Sequence, residues 1–249
     1  MATTYTPQDA ITYLQKIING APVTDIDSQV CDLVKRIIWI AYPWRFSLAA
    51  LTAVSLTNGN QNFANGNPTT LFRLVRARIV RTDITSPGNP VKDLMISSWI
   101  EPAPAFRIDY SNCRWVCHNR ITDQFRLEAA LNVPTGMTLQ LQGEYQTFAT
   151  KITDANLSNT AAFDSMPDEY FHMFCAGLLW QLYKFTRDKR EGGAQKVGNQ
   201  VIYTGQLGEF HDNIIACAQA EGWGQGETQF PDNPLGVVET YLPGVFGMY

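Results

Sequence analysis

The chain has 249 residues, 19 Lys plus Arg against 23 Asp plus Glu, and a net charge of −4; 45% of it is hydrophobic, 12% aromatic and 17% charged. That length supports one or two domains with a full core; so many aromatic residues exclude a disordered chain, and the acidic balance argues against a free-standing nucleic-acid binder, which is normally basic. The longest apolar runs, Ile37 to Tyr42 and Phe174 to Trp180, fall short of the ~20 residues that a membrane span needs, so no membrane partner is expected.

The N-terminus, Met1-Ala-Thr-Thr-Tyr-Thr-Pro7, has neither the charged nor the apolar region of a signal peptide. Five scattered cysteines (31, 113, 117, 175 and 217) suit free thiols in a reducing cytosol rather than a disulfide framework, and the sequon Asn156-Leu-Ser158 is then chance. Low charge with plentiful Gly, Asn, Gln and Thr suits a surface shown to other subunits.

Thr6 is placed to cap a first helix, with Pro7 in its first turn and Asp9 facing its N-terminus. Ile11, Leu14, Ile17 and Ile18 form its apolar stripe, and Asn19-Gly20 stops it. Val30, Leu33, Val34, Ile37 and Ile38 then repeat at helical spacing, and Pro43 ends the second helix. A short loop makes the two a hairpin. From Ser47 to Thr150 the residues turn β-branched and aromatic. Strands are predicted over Leu48–Leu56, Leu71–Arg81, Asp93–Ile100, Ala105–His118, Gln124–Ala130 and Met137–Thr150. They are separated by turns at 58–60, 65–68, 86–90 and 134–136. The alternation of Leu139, Leu141, Gly143, Tyr145 and Thr147 with polar residues gives one buried and one wet face. Six short strands at turn spacing predict a small antiparallel sandwich or barrel.

Ser165-Met-Pro-Asp168 predicts a capped helix over 165–190 that is apolar on more than one side, with Gly192-Gly193 as its end. A fourth helix is predicted over Gln195–Glu221, its first half weakened by glycines at 198, 205 and 208. The remaining segment, 223–249, is apolar, broken by Pro231, Pro234 and Pro243, and devoid of Lys and Arg. It reads as an extended arm that docks on something. The expected architecture is therefore α+β: a four-helix bundle from 1–45 and 160–222, a β-rich insertion over 46–159, and a C-terminal docking arm over 223–249.

No catalytic constellation emerges, so the chain is not expected to be an enzyme, and no cofactor or metal is expected. Cys113-x3-Cys117-His118 resembles a ligand cluster, but residues four apart on a strand lie ~13 Å apart, while two zinc sulfurs each sit ~2.3 Å from one metal; the spacing favours structural thiols. His172 and Cys175 share a helix face but lack further ligands. His211 has no partner nucleophile. Asp25 and Asp27 either bind a hard cation or cap the second helix. Gly222-x-Gly224-x-Gly226 neither follows a strand nor opens a helix, so it is a joint. Residues 70–126 carry nine Lys or Arg against five acids. Within them Arg73, Arg76, Arg78 and Arg81 either touch phosphates or line an interface, the second being preferred.

The order of these pieces carries a resemblance. Tyr42-Pro-Trp-Arg-Phe46 closes the first helical pair; the turn Leu56-Thr-Asn-Gly-Asn-Gln-Asn-Phe63 follows; Met166-Pro-Asp-Glu-Tyr170 opens a helix containing Gly177-Leu-Leu-Trp-Gln-Leu-Tyr183, then basic residues and Gly192-Gly193. Over about residues 8–222 the chain resembles the head-to-tail adaptor (connector) proteins of tailed bacteriophages, particularly the tail tubular A type of short-tailed phages. The resemblance implies a helical bundle with a β insertion and a dodecameric structural ring in the virion neck, assembled in the host cytoplasm. Its implied partners are the portal protein, a tail nozzle or tail tube protein, identical subunits, and the genomic DNA in transient, non-specific contact. In this reading Trp223, Phe230, Leu235, Tyr241, Leu242, Phe246 and Tyr249 dock the arm on the portal or a neighbour. The competing expectation is a β-sandwich binding module for carbohydrate or protein, with Trp99, Tyr110 and Trp115 as its site.

Overall fold

The computed structural model describes residues 3–18, 26–66, 70–84, 91–102, 107–197 and 200–222. In chain order the first elements are α1 (Pro7–Ile17), α2 (Ser28–Ala41), β1 (Leu48–Ala50), β2 (Val54–Leu56), β3 (Asn62–Ala64), β4 (Leu71–Arg81), β5 (Val91–Ile96) and β6 (Arg107–Asp109). They continue with β7 (Trp115–Asn119), β8 (Gln124–Leu127), β9 (Ala130–Asn132), β10 (Leu139–Thr147), α3 (Phe171–Thr186), β11 (Ala194–Val197), β12 (Gln200–Tyr203) and α4 (Gly205–Ala220). They divide into two units, one from Met1–Ser47 with Ala149–Tyr249 and the other from Leu48–Phe148. Each unit has its own apolar core.

In the helical unit the caps are local and complete. Thr6 Oγ1 accepts from the Asp9 amide at 3.1 Å, and the Asp9 carboxylate accepts from the Thr6 amide at 2.8 Å, a capping box. Asp27 Oδ1 accepts from the amides of Gln29 and Val30, so Asp27 caps α2; Asp25 lies outside the described residues. Helix α3 buries all but five of its side chains: only His172, Leu179, Lys184, Phe185 and Thr186 escape. A helix without a polar face must be surrounded, and α1, α2 and α4 all pack on it. Gly177 makes this possible. A Cβ there would lie 2.5 Å from Val34 Cγ1 and 2.8 Å from Phe210 Cε2, so α2 and α4 close on α3 where it has no side chain.

The expected four-helix bundle of two hairpin pairs is therefore overturned: α3 is a hub carrying three helices. The helix expected over 165–190 is also shorter. Asp164 and Ser165 both take left-handed backbone (φ 51° and 64°), a single 3-10 turn covers Asp168–Tyr170, and left-handed Arg187 ends α3 before the glycines are reached. The helix expected over 195–221 is a two-stranded hairpin, β11–β12, followed by α4. Gly192 sets this change. Its φ is +80°, and a Cβ there would overlap the Thr204 carbonyl oxygen, so the strands can close only on glycine.

Lys35 on α2 holds the chain that returns from the sheet unit. Its ammonium is buried and donates to the Thr150 carbonyl (2.7 Å), the Ala162 carbonyl (2.6 Å) and Asp164 Oδ2 (2.5 Å). Burial pushes the Lys35 pKa down and Asp164 pulls it back up, and three acceptors for three N–H groups is the complement of an ammonium. One helical turn earlier Asp32 accepts from the Ile152 amide at 2.8 Å and pairs with Arg36.

In place of the expected antiparallel sandwich or barrel the sheet unit has one curled eight-stranded mixed sheet, ordered β1-β10-β4-β5-β7-β8-β3, with β2 beside β1 on β10. The pair β5–β7 is parallel and the other pairs of this sheet are antiparallel. A separate parallel ribbon joins β6 to β9. A second layer is unnecessary because the sheet curls. Strands β2 and β3 lie at opposite ends of the hydrogen-bonded path, about 29 Å apart if it were flat at ~4.8 Å per step. The chain from Leu56 to Asn62 reaches at most about 21 Å, so the edges must approach, and β2 does contact β3. Ile79, Leu94, Val116, Phe125, Leu139 and Leu141 fill the inside. Three predicted strands are broken: Leu48–Leu56 becomes β1 and β2 on successive stretches of β10, Gln124–Ala130 is split between β8 and the start of β9, and Ala105–His118 is interrupted at Tyr110–Asn112, where Asp109 caps a 3-10 turn through the Ser111 amide.

Removing one partner of a buried ion pair leaves the other uncompensated. Lys35→Met is accordingly expected to destabilise the helical unit by about 3–5 kcal/mol, and Leu178→Ala, at the centre of α3, by about 2–5 kcal/mol. Loss of the far-ultraviolet helical signal in urea measures both; a change below about 0.5 kcal/mol, the ordinary surface range, would contradict the burial of either.

Candidate functional site

The four arginines of β4 do not form one patch. Alternation puts Arg76 and Arg78 on the exposed face of the sheet, where the cross-strand neighbours are Glu144 and Gln142 of β10 and Asp93 of β5. These side chains line an open cleft of about 460 Å³ together with Ala50 and Leu51. Arg76 Nε stands 4.0 Å from Glu144 Oε2. Arg81 clamps Asp83 with Nε to Oδ1 at 3.0 Å and Nη2 to Oδ2 at 2.8 Å, and this bond holds the Asp83 carboxyl down to about 2. Arg73 Nε donates to the fully buried Gln146 at 2.7 Å. Arg73, Arg76 and Arg81 thus each have an acceptor or counter-charge in the sheet unit, and the two outward arginines, Arg76 and Arg78, stand across the strands from two carboxylates, Glu144 and Asp93. A phosphate grip requires uncompensated positive charge; a balanced row of Arg and carboxylate is better suited to a protein surface of matching pattern.

A second concave surface lies in the helical unit between the N-terminal segment with α1 and the start of α3. Its volume is about 480 Å³, and Tyr5, Asp9, Tyr13, Lys16, Phe171 and His172 are among its walls. Asp168 builds it. The Thr4 amide donates to Oδ1 at 2.7 Å, Thr4 Oγ1 to Oδ2 at 2.7 Å and Thr3 Oγ1 to Oδ1 at 3.1 Å. These bonds, the Thr4 hydroxyl first, hold the Asp168 carboxyl below the usual range. The tie lays Tyr5 on Phe171, with ring centroids 4.2 Å apart, while Tyr13 meets Phe171 and His172 edge-on. Tyr5 and Tyr13 remain 41% and 38% exposed. Sequence reasoning missed this surface. The available signal was Tyr13, an aromatic residue left off the Ile11–Leu14 stripe.

The remaining sequence candidates separate. Cys113 and Cys117 are both buried, and burial pushes both thiols up; His118 instead bonds Asp123 Oδ1 at 2.9 Å. Burial likewise raises Cys175 to about 12, whereas His172 on the adjoining turn is exposed. His211 contacts Asp212 at 3.3 Å and lies against the Tyr203 ring. Among the described residues no group of three or more His, Cys, Asp or Glu is arranged to hold a metal. Of the aromatic residues expected for a binding module, Trp99 is exposed beneath the Arg126 guanidinium, while Tyr110 and Trp115 are half-buried; the sandwich on which that expectation rested is replaced by the single mixed sheet. The expected docking residues Trp223, Phe230, Leu235, Tyr241, Leu242, Phe246 and Tyr249 lie outside the described residues.

No protein-family model matches the chain, and no curated protein matches it.

Two outcomes follow from these surfaces. The pair of substitutions Arg76→Ala and Arg78→Ala is expected to leave non-specific duplex-DNA affinity unchanged in fluorescence anisotropy at physiological salt; a tenfold loss would assign phosphate contacts to the sheet face. The Asp168 tie has a defined pH sense. Its folded pKa lies below the unfolded value of ~4, so the stabilisation is complete above that value and is lost as pH falls through the lowered folded value. Nuclear magnetic resonance should show the Thr4 amide resonance titrating in that acidic window, and Asp168→Asn should abolish the titration.

Proposed function

We propose that this chain is a structural subunit of a phage neck, a head-to-tail adaptor whose copies form a ring between the portal and the next tail component. The observation that carries the reading is the meeting of the two motifs behind the resemblance. Tyr42-Pro-Trp-Arg-Phe46 and Met166-Pro-Asp-Glu-Tyr170 are more than a hundred residues apart in the sequence. They form one aromatic knot, with the Tyr170 ring 5.8 Å from Trp44 and 6.0 Å from Phe46. Trp44 is fully buried and donates its indole N–H to the Ile38 carbonyl. Glu221, just past α4, accepts from the Arg45 amide at 2.8 Å and from the Tyr170 hydroxyl at 3.2 Å. The motifs therefore join the exits of α2 and α4 to the entrance of α3, a framework role suited to a rigid building block.

Exposed apolar side chains support contact with other proteins, since they are grouped: Tyr5 and Tyr13 on one cleft, Val91 and Met95 on one side of β5. In this reading the partners are identical subunits, the portal, and a nozzle or tube protein. DNA passes with weak contact only, because tight phosphate binding would brake its movement. The balanced charge of the sheet face accords with that requirement.

Mixing the purified chain with the portal of the same phage tests the reading. Mass photometry and negative-stain images are expected to show a closed ring on one end of the portal. A chain that remains separate from the portal and is absent from purified virions would overturn it.

A further inference from the structure

The turn between β7 and β8 is pinned on both sides of its tip. Asn119 Oδ1 accepts from the amides of Ile121 at 3.0 Å and Thr122 at 3.3 Å. The Arg120 guanidinium lies 4.9 Å from the centre of the Phe72 ring and donates to the Phe72 carbonyl. Asp123, in left-handed backbone, accepts from Asn65 Nδ2 at 3.0 Å and meets His118 Nε2 at 2.9 Å. The tip itself is Ile121, whose side chain is 94% exposed, more than any other large apolar side chain among the described residues. An aliphatic group held out by a rigid turn has little freedom left to lose on docking, so its burial converts efficiently into affinity.

The outer face of the same sheet unit holds a receptor of matching character. Its cleft of about 460 Å³ is lined by Ala50, Ala53 and Gly143, small residues that leave room for an incoming chain. Gly143 is obligatory, since a Cβ there would lie 2.0 Å from the Arg76 carbonyl oxygen, and a glycine inside a strand permits a second backbone to come close. A cavity of about 150 Å³ already accepts a benzene molecule, so an isoleucine and part of its turn fit this cleft. On its wall stands Asp93, which makes no ion pair with any described residue although Arg78 is its register partner. Its carboxylate is open to a cation from outside. Arg120, exposed beside Ile121, is such a cation, and a guanidinium has five donors, of which the Phe72 carbonyl takes one. The turn does not reach the cleft of its own chain: Arg120 fixes it beside Phe72, four to six residues, or about 13–20 Å, along β4 from Arg76 and Arg78. We infer that the β7–β8 turn of one copy docks in the outer-face cleft of a neighbouring copy, with Ile121 over Gly143 and Arg120 beside Asp93. Turn and cleft are different patches, so the contact is head-to-tail and repeats until a ring closes. This inference rests on the proposed ring and specifies its joint.

Cross-linking reads the contact in rings formed by the chain alone or on the portal. Ile121→Cys and Ala53→Cys, both at exposed positions, are placed in one full-length chain; a disulfide forms between them where their Cα atoms come within about 4.4–6.8 Å. Mild oxidation is expected to give a ladder of covalent oligomers on a non-reducing gel, and neither single variant should give one, because four of the five native thiols are buried and the fifth is half-buried. A charge exchange supplies the second measurement. Arg120→Glu and Asp93→Arg are each expected to weaken ring assembly at least about tenfold, and the two together in one chain should restore it through the reversed pair. Rings that give no ladder and whose two charge losses simply add overturn the inference while the ring reading stands. If Ile121→Asp abolishes binding to the portal but leaves assembly between copies intact, the turn belongs to the portal contact and the inference again fails alone. A chain that forms no ring, by itself or on the portal, overturns both.

Discussion

The helical unit turns on one ammonium group. Lys35 is buried, and its three acceptors come from Thr150, on an irregular stretch, and from Ala162 and Asp164, in a 3-10 turn and at its end. A buried charge without partners costs several kcal/mol, so these backbone positions must converge on α2 together. Asp32, one turn away, adds the Ile152 amide. The chain returning from residue 148 is thereby laid along α2 in a fixed register, and that register sets where α3 begins. Asp164 accepts the Lys35 proton bond while standing in left-handed backbone, a conformation that Asp tolerates better than most residues. The ion pair and the sharp turn into the Pro167 segment are therefore one device.

From that starting point α3 dictates the remainder. It is apolar around its circumference and notched at Gly177, so it organises three helices instead of joining a symmetric bundle. The sheet unit solves the same burial problem differently. Among its described residues it contains no α-helix, and its two edges are joined by a connection too short for a flat sheet, so it curls around its own side chains. The two cores share no residue.

The sequence made the elements legible wherever periodicity ran long enough to be unambiguous. Val30, Leu33, Val34, Ile37 and Ile38 mark α2; Leu71–Arg81 matches β4 in both bounds. Architecture was less legible, because pairing is not written in periodicity. Nothing in Val91–Ile96 or Trp115–Asn119 announces that they run parallel, and a run of short strands reads equally as two layers or as one curled layer. Gly198, Gly205 and Gly208 weakened a helix in prospect, when Gly205 in fact starts α4 and Gly208 lies in its first turn; Gly198 lies outside the described residues. The pairing of Lys35 with Asp164 left one trace: Asp32, Lys35 and Trp39 fall at helical spacing on a side of α2 that is buried along with the apolar stripe. The arginines of β4 were visible as charge, but their cross-strand carboxylates appear only once β10 and β5 are in register.

The division of the helical unit between the two ends of the chain sets an order of events on the ribosome. Helices α1 and α2 emerge before the sheet unit, with Leu14, Val34 and Ile37 belonging to a core that α3 has yet to complete. The whole stretch from Leu48 to Phe148 must be synthesised before α3 can cover them, a delay on the order of ten seconds at usual elongation rates. The sheet unit, contiguous in sequence, closes its core during that wait. The apolar faces of α1 and α2 are thus covered only after the whole sheet unit has been made, although both helices precede it in the chain.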